Sequence, residues 1–161
     1  MADELIEKLK RWSRSYVCSN KDVGDLRDER YLEIWKGIPC IKADLYIPAP
    51  KADIFIELEN SMGNIDGNVV KYWPWMEIKW EPEYKLFLIH VLNPNKFGTN
   101  RPGDRNYQSR IEIAKFYADK MRKAYPRRFK YILIDNLPRG DNWKREAIKS
   151  CKEKIEEICS K

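Results

Sequence analysis

Acidic residues alternate with apolar ones along Asp53–Glu59, a segment whose β-branched and aromatic residues predict a β-strand. Because side chains alternate across a strand, Glu57 and Glu59 share one face, opposite Ile54 and Leu58. Two carboxylates at this spacing repel each other, which raises their pKa values, and burying an unpaired charge is costly. A divalent cation compensates such charges, and Mg²⁺ prefers carboxylate oxygens and water as ligands. The spacing therefore predicts a metal site, with a solvated strand end as the alternative.

A third carboxylate, Asp44, lies in the preceding predicted strand, Ile38–Ile47. The turn segment Pro48-Ala49-Pro50-Lys51 connects this strand to the next, so the two are predicted to form a hairpin that brings Asp44 close to Glu57. Lys71 lies on the helix predicted after the second strand. There its ammonium would orient an attacking water and stabilise developing negative charge, with an ordinary solvated lysine as the alternative.

Asp44 followed by Glu57-Leu58-Glu59 resembles the active-site pattern of the PD-(D/E)xK nuclease superfamily. In that pattern an acidic residue on one strand precedes a Glu-x-Lys motif on the next strand and then a helix. Ala43 stands where the motif has proline, and Glu59 replaces the lysine of the motif. The superfamily includes Glu-x-Glu variants and members whose lysine has moved to the following helix, where Lys71 would fit.

The resemblance covers Leu26–Leu92 and implies a restriction-endonuclease-like three-layer α/β core, with a mixed β-sheet of about four strands flanked by helices. It also implies hydrolysis of a phosphodiester that depends on one or two Mg²⁺ or Mn²⁺ ions held by Asp44 and Glu57. Glu33, on a helix predicted before the first strand, would be a further ligand of the kind that some members carry. Glu59 would be another ligand or would orient the water.

The composition is that of a charged chain of single-domain size. The chain has 161 residues, of which 43% are hydrophobic, so it can build a core and is not a disordered chain. Lys and Arg number 31 against 25 Asp and Glu, which gives a net charge of +6. We therefore predict one α/β domain over residues 1–161, with a polyanionic partner favoured by the charge but not required by it.

Basic residues concentrate in and just after a predicted loop over Asn93–Asn106 and again over Lys120–Lys130, at the end of the helix predicted over Arg110–Tyr125. The alternative for these clusters is an ordinary solvated run of charges. Each basic residue that contacts a phosphate adds a salt-dependent contribution to nucleic-acid binding. The residues predicted to bind nucleic acid in this way are Arg101, Arg105, Arg110, Arg127 and Arg128. The aromatic stretch Tyr72–Tyr84 offers rings that could stack on unpaired bases, or else belongs to the core or to an interface.

Several classes of protein are excluded by what the sequence lacks. No apolar run approaches the length of a membrane helix, and charged residues near the start argue against a signal peptide, so we expect a cytoplasmic protein with no membrane partner. No phosphate loop or dinucleotide fingerprint occurs, which predicts no nucleotide cofactor.

The cysteines lack the CxxC spacing of a zinc site and are expected to be reduced. His90 alternates with leucines, as a hydrogen-bonded core histidine would.

Nucleic acid is thus the predicted partner. Because the superfamily also contains members that lost activity, the alternative is an inactive module that binds nucleic acid or a protein, including a second copy of itself. The order of predicted elements, α-α-β-β-α-β-α-β-α, favours helices packed on a mixed sheet. The remaining predicted elements are the helices Leu5–Tyr16, Leu26–Trp35 and Asn68–Glu77, the strands Lys85–Leu92 and Phe129–Leu137, and a last helix after Asn142.

Overall fold

The structure is a computed structural model, which describes residues 4–18, 27–28, 31–35, 38–49, 52–60, 64–78, 82–96 and 105–160. The helices are α1 (Glu4–Cys18), α2 (Gly67–Val70), α3 (Trp73–Ile78), α4 (Arg105–Ala124) and α5 (Trp143–Cys159). The strands are β1 (Arg27–Asp28), β2 (Tyr31–Trp35), β3 (Ile38–Lys42), β4 (Leu45–Ala49), β5 (Ala52–Glu59), β6 (Lys85–Leu92) and β7 (Phe129–Ile134). No helix in these ranges is both long and apolar enough to cross a membrane.

The main sheet is mixed and has five strands in the order β1-β4-β5-β6-β7. The predicted hairpin is confirmed, because β4 pairs with β5 antiparallel in a register that sets Leu45 opposite Ile56. β5, β6 and β7 are parallel, so their ends meet at the same edge of the sheet. Parallel neighbours need crossover connections, and α2 with α3 and then α4 supply them.

The segment before the hairpin differs from its prediction. The helix predicted over Leu26–Trp35 is wrong, because Tyr31–Trp35 form β2, which pairs with β3 in a separate two-stranded sheet. The strand predicted over Ile38–Ile47 is in fact two strands, since β3 ends at Lys42 and β4 begins at Leu45. The aromatic and branched residues of this segment are compatible with a helix or with a strand. Pairing with the neighbouring segment made it a strand.

The core has two halves, one on each face of the sheet. Ile54, Ile56 and Leu58 of β5 pack with buried residues of α1 and α5, whereas Phe55 packs with α2, α3 and α4. The predicted alternation along β5 is therefore confirmed, and helices cover both faces of the mixed sheet in three layers. Cys151 and Cys159 of α5 are free thiols, as predicted, while the side chains of Cys18 and Cys40 lie outside the described residues.

Asp53 is a buried carboxylate on the face of β5 that also carries Phe55. Asp53, only 4% exposed, accepts hydrogen bonds from the Tyr46 hydroxyl and from Trp75 Nε1 at 3.2 Å. We expect Trp75→Phe to lower the free energy of unfolding by about 1–3 kcal/mol, because the variant removes a donor from a buried carboxylate. Denaturant unfolding measures the loss.

The matched control for this prediction is Trp73→Phe. Trp73 Nε1 donates to Glu77 at 3.1 Å in an exposed hydrogen bond, so its loss is expected to cost about 0.5 kcal/mol. An equal decrease in the free energy of unfolding in the two variants would contradict the prediction that the hydrogen bond from Trp75 to Asp53 stabilises the fold.

Candidate active site

The candidate site lies at the sheet edge where β5 and β6 end and β4 begins. Asp44 directly precedes β4, and the antiparallel register of β4 with β5 places it beside Glu57. The backbone N–H of Leu58 donates to Asp44 Oδ2 at 2.7 Å, which fixes this carboxylate against the end of β5. Two carboxylates from neighbouring strands therefore meet at one edge of the sheet.

Glu57 is a buried carboxylate with two donors on the same oxygen. Its residue is 3% exposed, and Lys71 Nζ lies 2.7 Å from Glu57 Oε1. The Tyr72 hydroxyl donates to that oxygen as well. Lys71 and Tyr72 form the turn between α2 and α3, so this turn brings both donors over the end of β5. The structure therefore brings together Asp44, Glu57 and Lys71.

Burial is the main cause of the raised pKa values of Glu57 and Tyr72. Loss of solvent raises the pKa of Glu57 from 4.5 to about 7, although the ammonium of Lys71 and the hydrogen bonds from Lys71 and Tyr72 lower it. The nearby charge of Asp44 raises it further. Burial, with the charge of Glu57, also raises the pKa of Tyr72 well above its ordinary value, so the hydroxyl remains a donor. Glu57 is thus poised near neutral pH, where a bound cation would favour its ionised form.

Tyr72 was missed by the reasoning from sequence. Its ring is fully buried and lies 4.7 Å from the ring of Phe55, centroid to centroid. The sequence presents Tyr72 as one more aromatic residue in an aromatic stretch, and no spacing rule identifies a phenol as the donor to a distant glutamate. Only the packing of the α2–α3 turn on β5 makes that contact.

Glu59 is also buried, but its partners differ from those of Glu57. Asn68 Nδ2 donates to Glu59 Oε2 at 2.9 Å, and Lys71 Nζ donates to Asn68 Oδ1 at 3.0 Å. Asn68 on α2 therefore connects Glu59 to the lysine that pairs with Glu57. This contact gives Glu59 a part in positioning Lys71, while its role as a ligand or in orienting water stays a prediction.

His90 completes the polar row on this face. It lies opposite Glu57 in the β5–β6 register and is fully buried. Its Nδ1 is 3.1 Å from the Tyr131 hydroxyl, which confirms the prediction of a hydrogen-bonded core histidine. Its Nε2 is 3.8 Å from Glu59 Oε2 and has no hydrogen-bond partner among the described residues.

The donors at the site suit a hard divalent cation. Asp44 and Glu57 offer carboxylate oxygens, and Mg²⁺ is commonly held by one or two carboxylates, with water and substrate phosphate completing the shell. The mutual repulsion that helps to raise the pKa of Glu57 is the kind that a cation relieves. Within the described residues, no group of three or more His, Cys, Asp or Glu side chains is arranged to hold a metal. The two carboxylates are thus at most a partial ligand set, and a Mg²⁺ or Mn²⁺ ion at this position stays a prediction.

Glu33 was predicted as a further ligand on a helix. The helix is wrong, since Glu33 lies on β2 of the small sheet, where its backbone is opposite Pro39. Its side chain lies outside the described residues, so its role as a ligand stays a prediction.

The predicted basic residues are divided between the two edges of the sheet. Arg110 on α4 lies near the start of α2, with Nη1 3.8 Å from Oδ1 of Asp66, the residue that precedes that helix. Arg105 begins α4, but its side chain lies outside the described residues, as does the whole of Arg101. Contact of Arg110 with a phosphate stays a prediction.

Arg127 and Arg128 lie at the opposite edge, between α4 and the start of β7. The register aligns Leu86 with Phe129 and Glu57 with His90, which separates these arginines from Glu57 by roughly 16 Å along the strands. Arg128 Nε donates to the Tyr84 carbonyl at 3.3 Å. Binding of nucleic acid by these two arginines stays a prediction, but they do not share an edge with the carboxylates.

The aromatic stretch belongs largely to the core. Tyr72 is fully buried and Trp75 is 8% exposed, so the hypothesis that these rings stack on bases is wrong. Trp73 is half-buried, with its ring edge-on to Tyr125 at 6.2 Å between centroids, and Trp80 lies outside the described residues.

Comparison of the chain with protein-family models, with curated proteins and with solved structures gives no match. The case for a function therefore depends on the residues of the site and on the chemistry that they allow.

Proposed function

We propose that this protein is a metal-dependent phosphodiester hydrolase that acts on DNA or another nucleic acid. The observation that supports the proposal most directly is the contact of Lys71 with the buried carboxylate of Glu57, 2.7 Å away, beside Asp44. Three residues far apart in the sequence meet at one sheet edge, in the combination that the resemblance to PD-(D/E)xK nucleases implies. Strongly perturbed carboxylates in such a place are more frequent at functional sites than elsewhere.

The fold proposed for this function is the restriction-endonuclease-like core. Its support is a mixed sheet with an antiparallel hairpin, β4–β5, followed by parallel strands β6 and β7, with helices on both faces. Open α/β sheets generally bind ligands at the carboxyl ends of their parallel strands, and Glu57 and Glu59 lie at that end of β5.

In the proposed mechanism, Asp44 and Glu57 would hold Mg²⁺ or Mn²⁺. The ion would supply Lewis-acid stabilisation of the charge that develops on the phosphate. The Leu58 N–H fixes Asp44, and the Tyr72 hydroxyl fixes Glu57, so both carboxylates are preorganised. The Lys71 ammonium keeps its hydrogen bonds to Glu57 and Asn68, and its charge would orient the attacking water and stabilise the developing negative charge.

Substrate binding in this proposal depends on the edge that carries the site. Arg110 is partly exposed and pairs with Asp66 before α2, and we expect it to contact a phosphate of the bound strand. The net charge of +6 favours a polyanion in general. These features support a nucleic-acid substrate without indicating a particular sequence or structure of that nucleic acid.

A cleavage assay tests the proposal. Single-stranded, duplex and branched DNA and RNA are incubated with the wild type, with Glu57→Ala and with Glu112→Ala, in Mg²⁺ or Mn²⁺. Glu112 is an exposed residue of α4 that pairs with Lys115, so its variant serves as the matched control. We expect metal-dependent cleavage by the wild type and the control, and a loss of about a hundredfold or more in Glu57→Ala. Equal activity in the three proteins, or none on any substrate, would contradict the proposal.

The second candidate function is an inactive module of the same fold that binds nucleic acid or a protein partner. The observation that favours it is the small ligand set, because Lys71 already balances the charge of Glu57 and no third acidic or imidazole ligand joins the cluster within the described residues. Gel-shift titration with the same nucleic acids distinguishes it. Binding that Arg110→Glu weakens, in the absence of any cleavage, would support this second function.

A further inference from the structure

A cleft lies at the sheet edge opposite the candidate active site. It has a volume of about 970 Å³ and opens between the starts of β6 and β7 and the last turns of α5. Lys85, at its margin, precedes His90 by five residues on β6, so the cleft is roughly 16 Å along the strands from Glu57. It is therefore a separate feature from the candidate active site.

The floor of the cleft is apolar. Phe87 is 7% exposed, and Ile132 of β7 and Ile158 of α5 are half-buried beside it. Sites for small molecules are concave, mostly apolar and of comparable size, with a few polar groups that orient the ligand. An apolar or aromatic group of a ligand bound here would remove the apolar surface of the floor from contact with water.

The margin of the cleft carries positive charge that its carboxylates do not balance. Lys85, Arg127 and Lys130 are exposed lining residues that form no ion pair with a carboxylate of the described chain. Lys154 and Glu157 also line the cleft and pair with each other at 3.2 Å, and Glu83 adds a further carboxylate, so the lining keeps a net excess of two positive charges. Three cations facing one cleft repel each other, and an anion placed among them would relieve that repulsion.

One contact places a cation of the margin over the apolar floor. Lys130 Nζ lies 5.6 Å from the centroid of the Phe87 ring, directly above the floor. Arg127 has a φ of 67°, a left-handed conformation that glycine adopts most easily after a helix. Arg127 lies in the turn between α4 and β7 and lines the cleft.

We propose that this cleft binds a small anionic amphiphile, with its apolar body on Phe87, Ile132 and Ile158 and its acidic head among the three cations. A nucleic-acid backbone suits the cleft less well, because it presents phosphates but no apolar body for the floor. The proposal does not depend on the activity proposed for Asp44 and Glu57.

The test uses decanoate as the probe and the full chain as the protein, with binding measured by isothermal titration calorimetry. We expect saturable binding of one decanoate, much weaker binding of decan-1-ol, and none of decyltrimethylammonium. Lys85→Glu and Lys130→Glu should each weaken decanoate binding about tenfold, since each replaces attraction by repulsion. Lys149→Glu, a reversal at an exposed residue of α5 outside the cleft, should leave it unchanged.

A second measurement uses the half-buried thiol of Cys159, which lines the cleft. Decanoate should slow its alkylation, followed by peptide mass mapping, in the wild type and in Glu57→Ala alike. The proposal is overturned by the absence of saturable decanoate binding, or by an equal loss in Lys149→Glu. It is also overturned if an oligonucleotide binds through Lys85 and Lys130 while decanoate does not.

Discussion

Replacing Lys71 by methionine is expected to make the protein progressively less stable than the wild type above pH 7, by about 1.4 kcal/mol at pH 8 and about 2.8 kcal/mol at pH 9. The reason is the buried carboxylate of Glu57, which Lys71 contacts at 2.7 Å. Without the ammonium, Glu57 keeps its proton to a higher pH in the folded state, while the unfolded chain ionises normally. Denaturant unfolding at a series of pH values measures the difference.

The sign follows from the raised pKa of Glu57. Because its folded-state pKa is about 7 against an ordinary 4.5, its contribution to stability is complete below pH 4.5 and is lost as the pH rises through 7. That loss occurs in both proteins. Above about pH 7 the free energy of unfolding of the wild type no longer falls, whereas that of Lys71→Met continues to fall by about 1.4 kcal/mol per pH unit. The two proteins should therefore be nearly equal in stability at pH 5.

Two controls isolate this effect. Adding Glu57→Gln to Lys71→Met should remove the extra slope, because no titrating group remains at that position. Lys115→Met breaks an exposed pair with Glu112 and should cost less than about 0.5 kcal/mol at any pH. A parallel loss at pH 5 and pH 9 in Lys71→Met would mean that Lys71 contributes by packing and not by its charge.

Asp44→Asn is expected to abolish metal-dependent cleavage, with a loss of about a hundredfold or more, and to leave the fold intact. The amide retains an oxygen that can accept the 2.7 Å hydrogen bond from the Leu58 N–H, so the end of β5 keeps its support. What the variant removes is a charge, and with it one of the two carboxylates proposed to hold Mg²⁺ or Mn²⁺. Initial cleavage rates over a range of metal concentrations measure the loss.

The control for this variant is Asp119→Asn on the exposed surface of α4, where Asp119 pairs with Arg122 at 3.1 Å. Cleavage should be unchanged in it. Calorimetric titration with Mn²⁺ adds a readout that does not depend on activity, and we expect weaker binding in Asp44→Asn alone. Unchanged cleavage and unchanged Mn²⁺ affinity in Asp44→Asn would remove Asp44 from the proposed site.

The sequence by itself determined the local order around β5. Alternation placed Ile54, Ile56 and Leu58 on one face and Glu57 with Glu59 on the other, because a strand has a period of two whatever surrounds it. The turn after β4 likewise predicted a hairpin, and antiparallel pairing across so short a connection brings Asp44 beside Glu57. The mixed sheet with helices followed from the alternation of predicted elements.

Other features were decided by contacts between distant parts of the chain. Residues in Leu26–Trp35 have the composition of either a helix or a strand, and pairing with β3 made Tyr31–Trp35 a strand. The direction of α4, from the end of β6 to the start of β7, separated Arg110 from Arg127 and Arg128, although all three belong to one basic region of the sequence.

In the candidate site, too, some features follow from the sequence and others from contacts between distant parts of the chain. Its carboxylates are visible in the sequence because their spacing on strands is regular. The partners of those carboxylates are not, since Tyr72 and Asn68 reach Glu57 and Glu59 only when the α2–α3 turn packs on the end of β5. Burial also belongs to the tertiary structure, and removal of water is what raises the pKa of Glu57 to about 7. Residue types and periodicity thus determined which groups could react, and long-range packing decided which of them meet and how they titrate.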